Sequence, residues 1–474
     1  MRAPASPRWP GRWSDRQIVV AALVAWFVVG GLALASGPPL GHDEAAYAVA
    51  ARGDAPAWRY RSTGMIAIAR AGLALGGGEL ALRGLALVLG AGVIVGAFAL
   101  GKAAFGHPER SRGGTASPEQ ATAGGARTGA WAAVVLATAH PMAARSAELI
   151  GDLPATACLL GGVAVLLGEL ERARPRWRLV WAAPLFAAAF YIRYGSAPVL
   201  ALVAVLALVL YARRLACLPV VATVAAAALL VVPHVVHSIA TTGSPLGILE
   251  ASASMPRRAY VGEGLVTYVT SNPLRFYGAL VAPVMLAGLA ALRRPFRRAA
   301  WFVVLLALGQ IVALGIDSHA QPRYVFFATA LLVVAGVDVL RGAGRPRLAA
   351  AACGLAWLGL AIAIVPYQRF LANHRRPLYA AAATVRDDAA GRPCAIAANV
   401  APQLIWATRC DVVIAKTAPT RPAPWPAATV RYVVSVPHAV IAPGLLRAVA
   451  ATARAVPREL AVASPQARVW RLDP

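Results

Sequence analysis

The run Gly41-His42-Asp43-Glu44-Ala45-Ala46-Tyr47 puts two neighbouring carboxylates at the start of a short amphipathic helix that directly follows a long apolar segment. Two carboxylates at a water–membrane boundary can accept or relay a proton. Acids in a first helical turn also cap the helix and complement its dipole, and spacing alone leaves both roles open. Successive helical positions project about 100° apart, so Asp43 and Glu44 do not work as a matched pair on one substrate atom. One of them is the candidate base and the other a positioning group. Asp43 and Tyr47, four residues apart, share a face, whereas Glu44 turns toward partners such as His42 or Arg83.

Two later segments carry polar groups at the ends of apolar runs. His140 to Pro154 contains Glu148 and Asp152, with Asp152 opening the next helix through Leu153-Pro154; capping is again an open alternative for Asp152. Asp317 to Tyr324 reads Asp-Ser-His-Ala-Gln-Pro-Arg-Tyr, where Arg323 and His319 can hold a phosphate, for which a guanidinium fork is suited. Arg and Tyr at a helix end are equally common interfacial anchors. Arg193, followed by Tyr194, interrupts an apolar stretch and can snorkel or contact an anionic headgroup. His140 alone reads as an interfacial histidine, and no His, Cys and Asp spacing typical of zinc occurs. A divalent cation is compatible with the carboxylates but nothing in the pattern demands one.

The elements that must position these groups are mainly helical. The 474 residues are 59% hydrophobic and 14% charged, with a mean hydropathy of +0.62, too apolar for a soluble surface. Runs of about 20 apolar residues suit helices that cross some 30 Å of hydrocarbon. Eleven spans are expected, at 17–36, 84–105, 129–144, 153–168, 179–193, 196–212, 215–236, 276–292, 299–316, 324–340 and 348–366. The formal charge of +26 lies in short Arg clusters between these runs rather than on one basic face, so it reports topology and not nucleic-acid binding. Arg2, Arg8, Arg12 and Arg16, with the later clusters from Arg110 to Arg347, place the N-terminus in the cytoplasm. The segment 37–82, the loop 237–275 and the tail from Pro366 then lie outside, in a cell membrane protein. The stretch from His107 to Thr128 reads as a flexible connector.

Residues 1–366 form the transmembrane bundle and 367–474 a small extracytoplasmic α/β domain. In that tail Pro377 to Ala389 reads as a helix, Cys394 to Ala398 as a strand and Pro402 to Ala407 as a helix. Strands at Asp411 to Ala415 and Val430 to Val436, a helix at Ile441 to Arg454 and strands near Leu460 and Val469 follow. Cys394 and Cys410 flank one strand–helix unit, as a disulfide or as two buried thiols.

Taken together, Asp43-Glu44-Ala45-Ala46-Tyr47, Glu79-Leu80-Ala81-Leu82-Arg83, Gly151-Asp152-Leu153-Pro154 and His319 to Tyr324 resemble, in order and spacing, the GT-C glycosyltransferases. The likeness is to the branch of protein O-mannosyltransferases, aminoarabinose transferases and their bacterial relatives. The resemblance implies a polyprenyl-phosphate sugar donor, a lipid, glycan or protein acceptor, an outer-face site and inversion at the anomeric carbon. It makes Asp43 the general base and Arg323, Arg193, His319 and Tyr324 the binders of the donor phosphate. His42, Tyr47, Glu148 and Asp152 would line the substrate pocket. Where the aminoarabinose branch carries Lys-Pro-Pro-Leu, this chain has Arg61-Ser62-Thr63-Gly64-Met65-Ile66, which leaves sugar and acceptor open. A transporter or lipid flippase is the competing expectation, against which no paired halves with broken helices are found.

Overall fold

Apolar runs this long must satisfy every backbone group internally, and helices do so. A computed structural model describes residues 13–55, 61–106, 118–253, 259–341, 346–415 and 430–473. In chain order its helices are α1 (Asp15–Ala35), α2 (His42–Arg52), α3 (Thr63–Ala74), α4 (Gly78–Phe105), α5 (Pro118–Ala137), α6 (His140–Ala144), α7 (Asp152–Leu170), α8 (Ala182–Ile192), α9 (Ala197–Leu215) and α10 (Leu218–Thr242). They continue with α11 (Gly247–Ala253), α12 (Glu263–Thr270), α13 (Pro273–Phe276), α14 (Val281–Leu289), α15 (Arg298–Asp317), α16 (Phe326–Arg341), α17 (Pro346–Ala389), α18 (Pro402–Thr408) and α19 (Pro443–Ala453). The strands are β1 (Cys394–Ala398), β2 (Asp411–Ile414), β3 (Val430–Ser435), β4 (Val456–Leu460) and β5 (Arg468–Asp473).

The chain divides into two compact units, one of Met1–Leu34, Arg59–Met65 and Gly84–Ile364, the other of Ala35–Trp58, Ile66–Arg83 and Val365–Pro474. In the first, α7 and α16 are the most enclosed of the long apolar helices and α10 the least. Its α1 opens on a capping box: the Ser14 N–H donates to Gln17 Oε1 at 2.8 Å and the Gln17 N–H to Ser14 Oγ at 3.3 Å. Among the described residues eight helices are long and apolar enough to cross a membrane: α1, α4, α7, α9, α10, α15, α16 and α17, with their adjoining turns. This is the make-up of a multi-pass membrane protein. The expected spans at 179–193 and 276–292 fold as the shorter apolar helices Trp177–Ile192 and Val281–Arg293. That at 129–144 is shared between α5 and α6.

Two stretches differ from expectation. The connector expected over His107 to Thr128 is shortened, because α5 already begins at Pro118, whose fixed φ suits a first helical turn; residues 107–117 lie outside the described residues. The span at 348–366 and the helix at Pro377 to Ala389 are one 44-residue helix, α17, with Pro366 and Pro377 inside it. Neither proline ends the helix, a tolerance shared by apolar helices whose freed carbonyls find other partners.

The second unit holds a five-stranded sheet in the order β2-β1-β3-β5-β4. β1 is parallel to β2 and β3, while β5 is antiparallel to β3 and β4. Side chains alternate across it as the strand period requires. Ile396, Tyr432, Val434 and Val469 pack with Ala381 and Val385 of α17 and Leu404 of α18 on one face. Ala397, Val433, Trp470 and Leu472 pack with Leu445 and Val449 of α19 on the other. The tail elements thus fall where the sequence pattern puts them, and Cys394 and Cys410 are joined as a disulfide.

Candidate active site

The acidic helix α2 belongs to the second unit, and its surroundings separate its two carboxylates. Glu44 is 1% exposed. Its Oε2 accepts the Gly41 N–H at 2.7 Å, one of the orphan donors of the helix start. Arg375 Nη1 lies 3.3 Å from the same oxygen and Arg83 Nε 3.5 Å from Oε1, so this carboxylate is held by two cations. Arg375 also donates to the Pro39 carbonyl at 2.6 Å, and Tyr379, one turn further along α17, donates to the Leu40 carbonyl at 2.9 Å. Glu44 therefore fixes the chain's turn into α2. Asp43 and Tyr47 lie on the half-buried face and His42 is exposed.

The far end of α2 is anchored as firmly. Arg52 pairs with Asp54, donates to the Trp406 carbonyl at 3.0 Å and stacks 4.2 Å over the Trp406 ring. Trp406 Nε1 donates to Glu79 Oε1 at 2.7 Å. Val49 packs with Ala401 and Ile405 beside α18. Held at both ends, α2 has little freedom to tilt.

The first unit gathers the other candidates. Asp152, the first residue of α7, is buried and ion-paired with Arg193, which follows α8 in extended conformation. The Arg193 guanidinium lies 5.0 Å over the Tyr324 ring, and Arg323 lies 5.5 Å from the same ring. Arg323 Nε donates to Gln321 Oε1 at 2.7 Å, Gln321 Nε2 is 2.9 Å from His319 Nε2, and the His319 ring meets Tyr324 edge-on at 5.9 Å. Two guanidiniums and one imidazole thus meet the Tyr324 ring, and Asp152 joins them through Arg193. The turn that carries Arg323 and Tyr324 packs against α6 and α7. Glu148 is buried and pairs with Arg145 at 2.5 Å. Burial pushes the nearby Tyr268 phenol up to about 12, with Arg193 acting in the opposite sense, so it stays a neutral hydroxyl at physiological pH.

Arg193 owes its place to neighbours of which sequence did not single out Tyr191 or Pro233. Pro233 interrupts the α10 ladder, and the Tyr191 hydroxyl inserts there: it donates to the Leu230 carbonyl at 2.9 Å and accepts the His234 N–H at 3.1 Å. Two glycines let the strap past. A Cβ on Gly64 would stand 2.6 Å from the Tyr191 carbonyl carbon and oxygen, and one on Gly151 would stand 2.6 Å from the Ile192 carbonyl oxygen. Tyr194 closes the strap, its hydroxyl 3.3 Å from the Thr63 nitrogen. Arg375 and Tyr379 were equally unforeseen; their i,i+4 spacing in a helix was the only available signal.

No family model matches the chain and no curated protein matches it. Solved structures do. ArnT from Cupriavidus metallidurans bound to undecaprenyl phosphate aligns over 96% of this chain and 97% of that one, at 17% identity and a TM-score of 0.67. The apo state of ArnT gives 16% identity and 0.66 over the same shares. The Archaeoglobus fulgidus oligosaccharyltransferase AglB in complex with an inhibitory peptide and a dolichol-phosphate gives 12% identity and 0.55, over 85% of this chain and 64% of that one. At these identities the likeness is one of fold: the chain shares the fold of these solved structures, as the resemblance of its spaced motifs implies.

Proposed function

We propose that this protein is a membrane glycosyltransferase that moves a sugar from a polyprenyl-phosphate donor to a lipid, glycan or protein acceptor on the outer face of the cell membrane. The observation that carries this reading is the fold likeness, nearly end to end on both chains, to a transferase whose structure was determined with undecaprenyl phosphate bound. On this reading residues 1–366 are the membrane part, with the N-terminus cytoplasmic, and 367–474 the extracytoplasmic domain.

In the proposed reaction Asp43 takes the proton of an acceptor hydroxyl. The oxygen attacks the anomeric carbon as the bond to the phosphate oxygen breaks on the opposite face, which inverts the centre. Arg323 and Arg193, with His319 and Tyr324, neutralise the charge left on the polyprenyl phosphate. Glu44, enclosed by Arg83 and Arg375, is the positioning member of the acid pair. His42, Tyr47, Glu148 and Asp152 contribute to the substrate pocket, and Asp152 has the further task of aiming Arg193. No step is routed through a metal, and among the described residues no group of three or more His, Cys, Asp or Glu stands together to hold one.

Asp43→Asn tests this directly. The variant should insert and fold while losing sugar transfer from a polyprenyl-phosphate donor by about 100-fold or more. Full transfer by the variant rejects Asp43 as the base, and vectorial transport without glycosyl transfer rejects the enzyme altogether. A panel of lipid-linked sugars given to the purified protein identifies the donor.

A further inference from the structure

Within the second unit α17 turns different faces to different tasks. Arg375 and Tyr379 point at the turn into α2, where they hold Glu44 and the Leu40 carbonyl. At about 100° per residue, Asn373 and Pro377 stand roughly 160° away from Arg375, on the other side of the helix. There, with Arg376, they line a cavity of about 450 Å³ together with Ala463, Ser464, Pro465 and Gln466 of the turn between β4 and β5. That size falls within the range of small-molecule sites.

The lining is polar and unspent. Asn373, Arg376 and Gln466 are exposed, Ser464 is buried at the cavity wall, and none of the four side chains has a hydrogen bond or ion pair among the described residues. The two amides each donate and accept, the hydroxyl does both, and Arg376 only donates. Sugar hydroxyls also donate and accept, so the set matches them. An anion would use the donors alone, leave the amide oxygens idle and find a single cation. The same stripe of α17 continues as a platform of rings. Phe370, one turn before Asn373 and His374, is 64% exposed. Its ring stacks 6.2 Å from the His374 imidazole, which stacks in turn on His438 at 4.0 Å. His438 sits in the hairpin after β3 that the Val436–Ala439 bridge closes. Flat ring faces beside amide groups suit a pyranose, which carries a C–H face as well as a hydroxyl edge.

We propose that this cavity binds a saccharide unit, with Asn373, Arg376, Ser464 and Gln466 meeting its hydroxyls, at a site separated from the acid pair by the width of α17. The inference does not depend on the proposed reaction, because binding is read without turnover. Saturation-transfer NMR on the full chain in lipid nanodiscs, which avoid the sugar headgroups of glycoside detergents, tests it with the methyl glycosides of glucose, galactose, mannose and N-acetylglucosamine. At least one should take up saturation from wild type. Asn373→Ala with Gln466→Ala should weaken that glycoside about tenfold, the loss of two ordinary hydrogen bonds. Ala463→Trp, which fills the cavity from its exposed rim, should abolish the signal, and both variants should keep the wild-type melting temperature. Arg386→Ala, exposed further along α17, should bind as wild type does. Displacement by a glycolipid of the same sugar assigns the natural ligand to a lipid headgroup and its failure to displace assigns it to a glycan; both support the site. The proposal is overturned by no saturation with any glycoside, or by equal signals from wild type and both cavity variants. Displacement of the glycoside by inorganic phosphate, which would mark an anion site at Arg376, overturns it too.

Discussion

Replacing Gly64 by Ala adds one carbon at the tightest point of the strap that carries Arg193. That carbon would stand 2.6 Å from the Tyr191 carbonyl carbon and oxygen and 2.8 Å from the Ile192 nitrogen. Ordinary van der Waals contact begins near 3.4 Å, so the strap must retreat by roughly 0.8 Å. The obstacle is backbone, which cannot rotate away, and Gly151 blocks the Ile192 carbonyl from its own side. Overpacking of this kind costs about 1–3 kcal/mol, and a shift near 1 Å at a charge-stabilising group costs about 100-fold in rate. Sugar transfer by Gly64→Ala should therefore fall by about 100-fold, with a modest loss of melting temperature. Gly84→Ala, where the new carbon meets nothing within 4 Å, should transfer as wild type does. Assayed with a polyprenyl-phosphate sugar, a Gly64→Ala protein with unchanged kcat and KM would refute the claim that the strap's placement sets that of Arg193.

Three further outcomes are expected. Glu44→Ala leaves Arg83 and Arg375 without their shared counter-charge, a loss of about 3–5 kcal/mol; chemical denaturation followed by Trp fluorescence measures it, and a loss within error would show that the two arginines find other partners. Tyr191→Phe removes both hydrogen bonds beside Pro233 of α10 and should lower kcat more than it raises KM, whereas equal changes in a merely less stable protein would mark it as structural only. Reducing the Cys394–Cys410 bond, which closes a loop with a sequence separation of 16, should destabilise the α/β unit by about 3 kcal/mol, measured by thermal melts with and without reductant.

How much was legible in the sequence follows from the range of each interaction. The strands of the tail were readable because their alternation is local: Ile396 and Ala397 face opposite layers for the same reason that any neighbours on a strand do. The separation of Asp43 from Glu44 by helical angle was local too, and the expected partner Arg83 stands at 3.5 Å. Arg375 escaped notice because it meets Glu44 across 331 residues, and no composition or period encodes such a pairing. Tyr191 lies in an apolar run with no spacing to mark it, since a hydroxyl inserted beside Pro233 depends on the packing of α8 on α10. The pattern predicts a span ending at 366 and a separate helix opening at Pro377, whereas α17 runs through both prolines, a continuation that depends on tertiary surroundings.

The clamp on Glu44 also sets a clock. The ribosome delivers Arg375 331 residues after Glu44, and at about 5–20 residues per second that interval lasts roughly 15–65 s. Trp406, which secures the other end of α2 through Arg52, arrives later still. Throughout that time Glu44 has the Gly41 N–H and Arg83 but not Arg375, and Arg52 has Asp54 but not Trp406. A nascent or prematurely terminated chain therefore carries the carboxylates without the second cation on Glu44. The two-cation clamp on Glu44 is complete only once Arg375, in the last quarter of the chain, has been made.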